Sequence, residues 1–314
     1  MNHSDHAPAV AVESTTAPVS QFTSGVVLAI VGTFLFALKS IFIKLAFAAG
    51  AEPTLLLTLR LYFALPFYIA VLWKIQRGQN KSPMRWTMIA RAFGLGLLGY
   101  YLASYLDLTG LQYITAQLER LTLFTYPAIV AVLAWLFLGE RLNRRIIAAI
   151  VLCYCGVILM YSQERSMTGG THVAWGVFLV LASAISYSMY IILAKPTMQV
   201  IGSARFTSLA MIGSTVFVGI HFAATGGVDQ LADTPSIVYL YGIILALVCT
   251  LLPSFMINEA IMRIGATRTV VIGSVGPVLT MVLAITILRE PSSVYHFLGM
   301  FIAIIGVSLV TSKK

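Results

Sequence analysis

From residue 22 to residue 311 the chain is a succession of long apolar runs with little between them. They cover about 22–49, 53–75, 86–108, 111–138, 144–162, 173–195, 203–224, 236–257, 260–288 and 293–311. A helix rises 1.5 Å per residue, so roughly 20 apolar residues cross the ~30 Å hydrocarbon core of a bilayer. Lipid offers no hydrogen bonds, so a run of this length must satisfy its backbone internally and becomes a helix. The joints at 50–53, 78–83, 169–170 and 226–235 carry the Gly and Pro residues that end helices. Composition agrees: 59% of residues are hydrophobic and 10% charged, against about a quarter charged in soluble domains. The expected fold is an all-α membrane protein with ten transmembrane helices and little chain left for a soluble domain.

Residues 1–21 carry no Lys or Arg and lack the apolar core of a signal peptide, so they read as a disordered cytoplasmic tail. Cytoplasmic loops are enriched in Lys and Arg, and this decides the orientation. With the tail inside, 14 of the 20 basic residues fall in inner joints or the C-terminus, only Arg165 and Arg289 fall outside, and four lie within the runs. Both termini are therefore expected on the cytoplasmic side. The net charge of +9 belongs to these clusters and forms no stripe interleaved with aromatics, which excludes a nucleic-acid partner. Cys153, Cys155 and Cys249 all sit in apolar runs without Cys or His at ligand spacing, and read as small hydrophobes; no metal or cofactor is indicated. The five histidines have no carboxylate or Cys at catalytic or ligand spacing and read as bystanders.

Sliding the sequence by 150 positions places Pro127 on Pro277, Val132, Leu133 and Ala134 on Val282, Leu283 and Ala284, Glu140 on Glu290, and Gly156 and Val157 on Gly306 and Val307. Lys44 and Lys195 likewise end the first and sixth runs. Each half is then a five-helix repeat, the first over 22–162 and the second over 173–311. Five is odd, so the halves are inverted relative to each other, an architecture of secondary transporters with the substrate site near the midplane.

The paired segments YITAQLERLTLFTYPAIVAVLAWLFLGERL and RIGATRTVVIGSVGPVLTMVLAITILREP, with an early Ala, a mid-helix Pro and a closing Glu, resemble the fourth and ninth helices of the drug/metabolite transporter superfamily, in its ten-helix EamA branch. Lys44, Lys195 and Arg60 fit that pattern too. The resemblance implies export of amino acids or related metabolites, energised by an ion gradient or by downhill flux, and a bacterial cytoplasmic membrane as the location. Coupling to protons or another ion, and a homodimer, are both compatible with it.

A charge at membrane depth costs about 2.5–3.5 kcal/mol on insertion scales, so each is a site candidate. Counted from the outer helix ends, Arg60 lies ~10 Å in, Glu119 and Arg120 ~12–14 Å, and Lys39 ~15 Å. Glu119 shares a helical stripe with Thr122, Leu123 and Tyr126 that is suited to lining a cavity, and is expected to meet Arg60 or Lys39. Arg120 points about 100° away, toward Leu123, Phe124 and Pro127, and reads as a clamp between helices through a carbonyl or carboxylate. Lys44 and Asp107, nearer the outer interface, are expected to pair structurally. Tyr126 and Tyr187 are chosen from the many tyrosines as pocket-lining, together with Ser274 of the small-residue segment that runs from Thr269 to Thr280. Gly273 and Gly276 in that segment read as close helix packing. Glu140 and Glu290, at helix ends, read as caps.

These features favour a carrier of a small polar metabolite whose deep cationic excess attracts carboxylate or phosphate. Asp107 is the only Asp in a run, and no nucleophile–base pair or H-E-x-x-H occurs, so an intramembrane enzyme fits poorly. A channel or a non-transporting membrane protein is the alternative.

Overall fold

A computed structural model describes residues 19–77, 85–139, 142–168, 170, 172–264 and 266–311. The tail before residue 19, the whole 78–83 joint and Glu140 lie outside the described residues. Among the described residues every regular element is helical. In chain order these are α1 (Val19–Ala48), α2 (Pro53–Arg77), α3 (Trp86–Gly96), a π-helical stretch (Leu97–Leu102), α4 (Ala103–Leu111), α5 (Ala116–Leu123), α6 (Tyr126–Leu138), α7 (Arg144–Thr168) and α8 (Val173–Ile201). There follow α9 (Ser203–Ala224), the short α10 (Gly227–Asp233), α11 (Ser236–Ala246), a second π-helical stretch (Leu247–Leu251), α12 (Leu252–Ile264), α13 (Ala266–Gly273), α14 (Gly276–Ile287) and α15 (Val294–Thr311).

Seven described stretches are long and apolar enough to cross a membrane: 21–48, 53–77, 116–138, 144–167, 173–201, 203–224 and 236–257. Two further helices, α14 and α15, are apolar but shorter. The exterior supports the same environment. Phe137 is 67% exposed, Phe301 64% and Ile158 62%, among dozens of large exposed apolar side chains. An exterior of that kind is stable against lipid chains and not against water.

Local chemistry sets the ends. Gly50, at φ +89°, closes α1 in the left-handed region that only glycine enters without strain, and Pro53 then opens α2, where its missing N–H costs nothing. Gly139, at φ +68°, ends α6 in the same way. Thr115 caps α5 by accepting a hydrogen bond from the Leu118 N–H at 3.2 Å.

Two irregularities recur 150 positions apart. The run containing α5 and α6 breaks at Phe124–Thr125, and the run containing α13 and α14 breaks at Ser274–Val275; Pro127 and Pro277 open the second helix of each. The π-helical stretches at Leu97–Leu102 and Leu247–Leu251 stand in the same relation. A π-helical turn inserts an extra residue, rotates the side chains beyond it and often marks a functional site.

Helices α7 and α15 pack along each other with close backbone approach, and small residues permit it. A side chain at Gly156 would meet the Gly299 carbonyl at 2.4 Å and Ala303 Cβ at 2.9 Å; one at Gly306 would meet Cys153 Sγ at 2.7 Å and the Ala149 carbonyl at 2.8 Å. Close backbone approach through small residues is how helices associate where lipid is as apolar as leucine.

Candidate functional site

The midsections of the helices surround a partly open cavity of about 470 Å³, bordered by α1, α2, both π-helical stretches, α4, α5, α8, α9, α12 and residues at or flanking both helix breaks. That volume falls within the 300–1,000 Å³ of small-molecule sites. Lys39, Arg60, Asp107 and Arg120 put four ionisable side chains on its wall.

The charges sort differently from the sequence expectation. Lys39 Nζ donates to Asp107 Oδ2 at 2.7 Å, so Asp107 pairs with Lys39 and not with Lys44. The two lysines lie five positions apart on α1, so they point to different neighbours. The electrostatic partners of Lys44 are instead Glu290 and Glu164, at the end of the bundle where α5 begins.

Glu119 is fully buried but does not border the cavity. Its Oε2 accepts from Ser40 Oγ at 2.7 Å, and its carboxyl lies beside that of Asp107 rather than in an ion pair with Arg60 or Lys39. Thr122, on the same face, is likewise fully buried and outside the lining. Arg120, Leu123 and Phe124 border the cavity, so the side assigned to the less polar clamp is the one that faces it. The expected stripe from Glu119 to Tyr126 fails because the chain leaves the helix at Phe124–Thr125.

Arg120 is a clamp as well. Its Nη2 donates to the Phe36 carbonyl at 2.5 Å and its Nε to Thr280 Oγ1 at 3.3 Å, while the Thr280 hydroxyl donates to the Ala37 carbonyl at 3.2 Å. This ties α5 to α1 and α14. Arg60 stands apart. Its Nε donates to Thr250 Oγ1 at 3.0 Å, yet Nη1 is sealed from solvent and has no partner. The two ion pairs among the described residues, Lys39–Asp107 and Arg263–Glu259, both exclude it. Thr250 is set for this by the second π-helical stretch, where its hydroxyl donates to the Leu245 carbonyl five residues back at 2.8 Å.

Tyr126 and Tyr187 border the cavity and meet edge to face, with ring centroids 5.6 Å apart. Tyr187 continues onto Tyr190, which donates to the Tyr100 hydroxyl at 3.0 Å and completes an aromatic wall. Gly273 and Gly276 are not packing contacts: a Cβ on Gly273 would have nothing within 4 Å, and one on Gly276 would touch only Thr33 Cγ2 at 3.4 Å. Both border the cavity, whereas Ser274 lies between them in the turn and does not. Sequence reasoning missed Thr250, Tyr68 and Tyr100. The available signal was the 150-residue match between two stretches that each turn π-helical, which no periodicity test detects.

At the end of the bundle where α5 begins, two glutamates cap that helix. Glu290 Oε1 accepts from the Ala116 N–H at 2.8 Å, and Glu164 accepts from the Thr115 N–H at 2.8 Å and the Thr115 hydroxyl at 2.6 Å. A negative group at a helix N-terminus satisfies orphan donors and opposes the dipole. Burial pushes the Glu290 carboxyl above the usual carboxylate range, against the Ala116 N–H and Lys44, which draw it down. Glu290→Ala should lower stability by about 1–2 kcal/mol, as for a lost helix cap, while Glu290→Gln should retain most of it. Thermal unfolding in detergent reads this directly, and equal losses in the two variants would contradict the cap.

The model of the EamA-like transporter family matches residues 23–162 and again residues 174–312. A Bacillus subtilis protein named as an uncharacterized transporter, YcbK, is 28% identical over 94% of this chain and 97% of its own length. An uncharacterized transporter of Synechocystis is 26% identical over 83% and 80%, and a WAT1-related protein of Arabidopsis thaliana 24% identical over 63% of each chain. A solved crystal structure superposes with a TM-score of 0.58 at 16% identity, covering 91% of this chain and 96% of that one, which shows a shared fold.

Proposed function

The chain belongs to the EamA-like transporter family and is a multi-pass integral membrane protein, and from that premise we propose that it is a secondary carrier exporting a small carboxylate-bearing metabolite, an amino acid or an organic anion. It crosses the membrane ten times as two inverted five-helix repeats, 22–162 and 173–311. Both termini lie on the cytoplasmic side of a bacterial inner membrane, and the cavity is exposed to either face in turn as the halves rock.

One observation carries the cargo assignment: Arg60 brings to the cavity wall a guanidinium that forms no ion pair among the described residues, the nearby Asp107 being bonded to Lys39, and whose Nη1 is unbonded. A charge left uncompensated in a water-poor site costs several kcal/mol, and an anionic ligand removes that cost on binding. Guanidinium and carboxylate match in a two-pronged hydrogen-bonded geometry, which favours a carboxylate cargo. The aromatic wall of Tyr126, Tyr187 and Tyr100 supplies the apolar side of the site and limits cargo size. The paired breaks at Phe124–Thr125 and Ser274–Val275 supply the hinges, since broken helices let the two halves of a run move separately.

A thermal-shift screen of the purified protein against metabolites tests the assignment, because a ligand of the folded state raises the melting temperature by mass action. Carboxylates should lead. Stabilisation confined to cationic or neutral compounds would defeat the reading.

A further inference from the structure

Two carboxyl groups lie side by side, Asp107 on the cavity wall and Glu119 behind it, and their hydrogen bonding does not close. Asp107 on α4 is 2% exposed and Glu119 on α5 0%, and the two carboxyls are within hydrogen-bond reach of each other. Consecutive residues of α1 hold them from one side: Lys39 donates to Asp107 Oδ2 and Ser40 to Glu119 Oε2, each at 2.7 Å. The remaining oxygens, Asp107 Oδ1 and Glu119 Oε1, are sealed from solvent and receive no hydrogen bond.

The surrounding groups are committed elsewhere. On α1, Lys39 is bonded to Asp107 and Lys44 faces Glu290 and Glu164. On α2, Arg60 is bonded to Thr250, and on α5, Arg120 is bonded to Phe36 and Thr280. From α8, Ser183 donates to the Ala103 carbonyl. Cys249, in the second π-helical stretch, is a free thiol, and Tyr126 and Tyr187 face the cavity. Two carboxylates side by side in such a setting repel, and one proton between them turns the repulsion into a hydrogen bond that satisfies both bare oxygens.

We propose that Asp107 and Glu119 form an intramembrane proton-binding site, holding one proton between the two carboxyls, and that this proton travels with the anionic cargo. Water in the cavity, which Asp107 borders, delivers the proton and takes it back; an O–H bond forms on one carboxyl and breaks on the donor. The second half of the proposal rests on the carrier reading above. A proton here adds one positive charge beside a cavity already holding the Arg60 guanidinium, so proton and anion raise each other's affinity.

Infrared spectroscopy of the full chain in lipid at neutral pH reads the first half, through the C=O stretch that a carboxylic acid has and a carboxylate lacks. The wild type should show this band, shifted by deuterium exchange, and both Glu119→Gln and Asp107→Asn should lose the same component of it in a wild-type-minus-variant difference spectrum while eluting as folded protein. No band in the wild type, or no loss of intensity in either variant, overturns the shared proton. The second half is read in vesicles loaded with a pH-sensitive dye and given an inward gradient of lactate, glutamate and succinate. The lumen should acidify as labelled cargo enters, and flux should rise as pH falls, by roughly tenfold per pH unit at the limit set by one bound proton. Glu119→Gln should lose that pH dependence. Cargo flux without acidification overturns the cotransport half. Absence of any cargo flux counts against the carrier reading instead, and the infrared band still decides the proton site.

Discussion

Arg60→Met should abolish cargo binding and leave the protein as stable as before, or more so. The wild-type guanidinium holds one hydrogen bond to Thr250, leaves Nη1 unbonded and forms no ion pair among the described residues. Replacing an uncompensated buried charge with an apolar side chain of similar length is often neutral or stabilising. Truncating one partner of a desolvated charge pair in the bound complex, by contrast, costs about 2–5 kcal/mol. That is roughly 30-fold to several thousand-fold in affinity. The pairing seen at Lys39 gives the control. Lys39→Met strands Asp107 in the wall and should lower stability by about 3–5 kcal/mol, the cost of breaking a buried pair from one side. Melting curves and cargo titrations on the two variants separate a binding cation from a structural one. If Arg60→Met melts well below the wild type, Arg60 is a structural residue and the cargo assignment loses its main support.

The second large effect falls on the α7–α15 crossing. Gly156→Val would set its Cβ 2.4 Å from the Gly299 carbonyl and 2.9 Å from Ala303 Cβ, and neither neighbour is the far end of a flexible side chain. The helices must separate, which undoes the matching contacts of Gly306 with Ala149 and Cys153. Overpacking of this kind costs about 1–3 kcal/mol, and the loss of close packing along the whole crossing places this variant at or above the top of that range. Gly273→Ala is the comparison, since its Cβ meets open cavity and should cost little stability. Thermal unfolding checks both, and a Gly156→Val protein with wild-type stability would show that the crossing is not held by close approach.

The sequence made some of this legible and hid the rest for physical reasons. Apolar runs of spanning length, the Gly and Pro joints and the 150-residue match announced helices and internal likeness, because they follow from backbone satisfaction in lipid and from residue identity at fixed spacing. The set of deep charges was legible too, since any charge in an apolar run stands out. Their partners were not. Whether Asp107 meets Lys39 or Lys44 depends on the relative rotation of α1 and α4, and the Leu97–Leu102 π-helical stretch directly before α4 changes that rotation without a marker in the sequence. The break at Phe124–Thr125 hides in the same way. Nothing but Pro127 announces it, and Pro is welcome in the first turn of a helix, so the stripe drawn through Glu119, Thr122 and Tyr126 assumed a continuity the chain does not have. Gly273 and Gly276 were misjudged because a small residue serves equally to admit a neighbouring helix or to leave room for a ligand, and only coordinates distinguish the two.

A carrier of the proposed kind moves a carboxylate across the membrane by exposing the Arg60 cavity to each side in turn. Counterflow in proteoliposomes tests it most directly: vesicles are loaded with an unlabelled carboxylate at high concentration, and entry of the same labelled compound is followed from a dilute exterior. Transient, saturable accumulation above equilibrium is expected for at least one carboxylate metabolite, and none in Arg60→Met vesicles. Entry that never overshoots equilibrium and rises in proportion to concentration, or an overshoot of equal size in Arg60→Met, would contradict it.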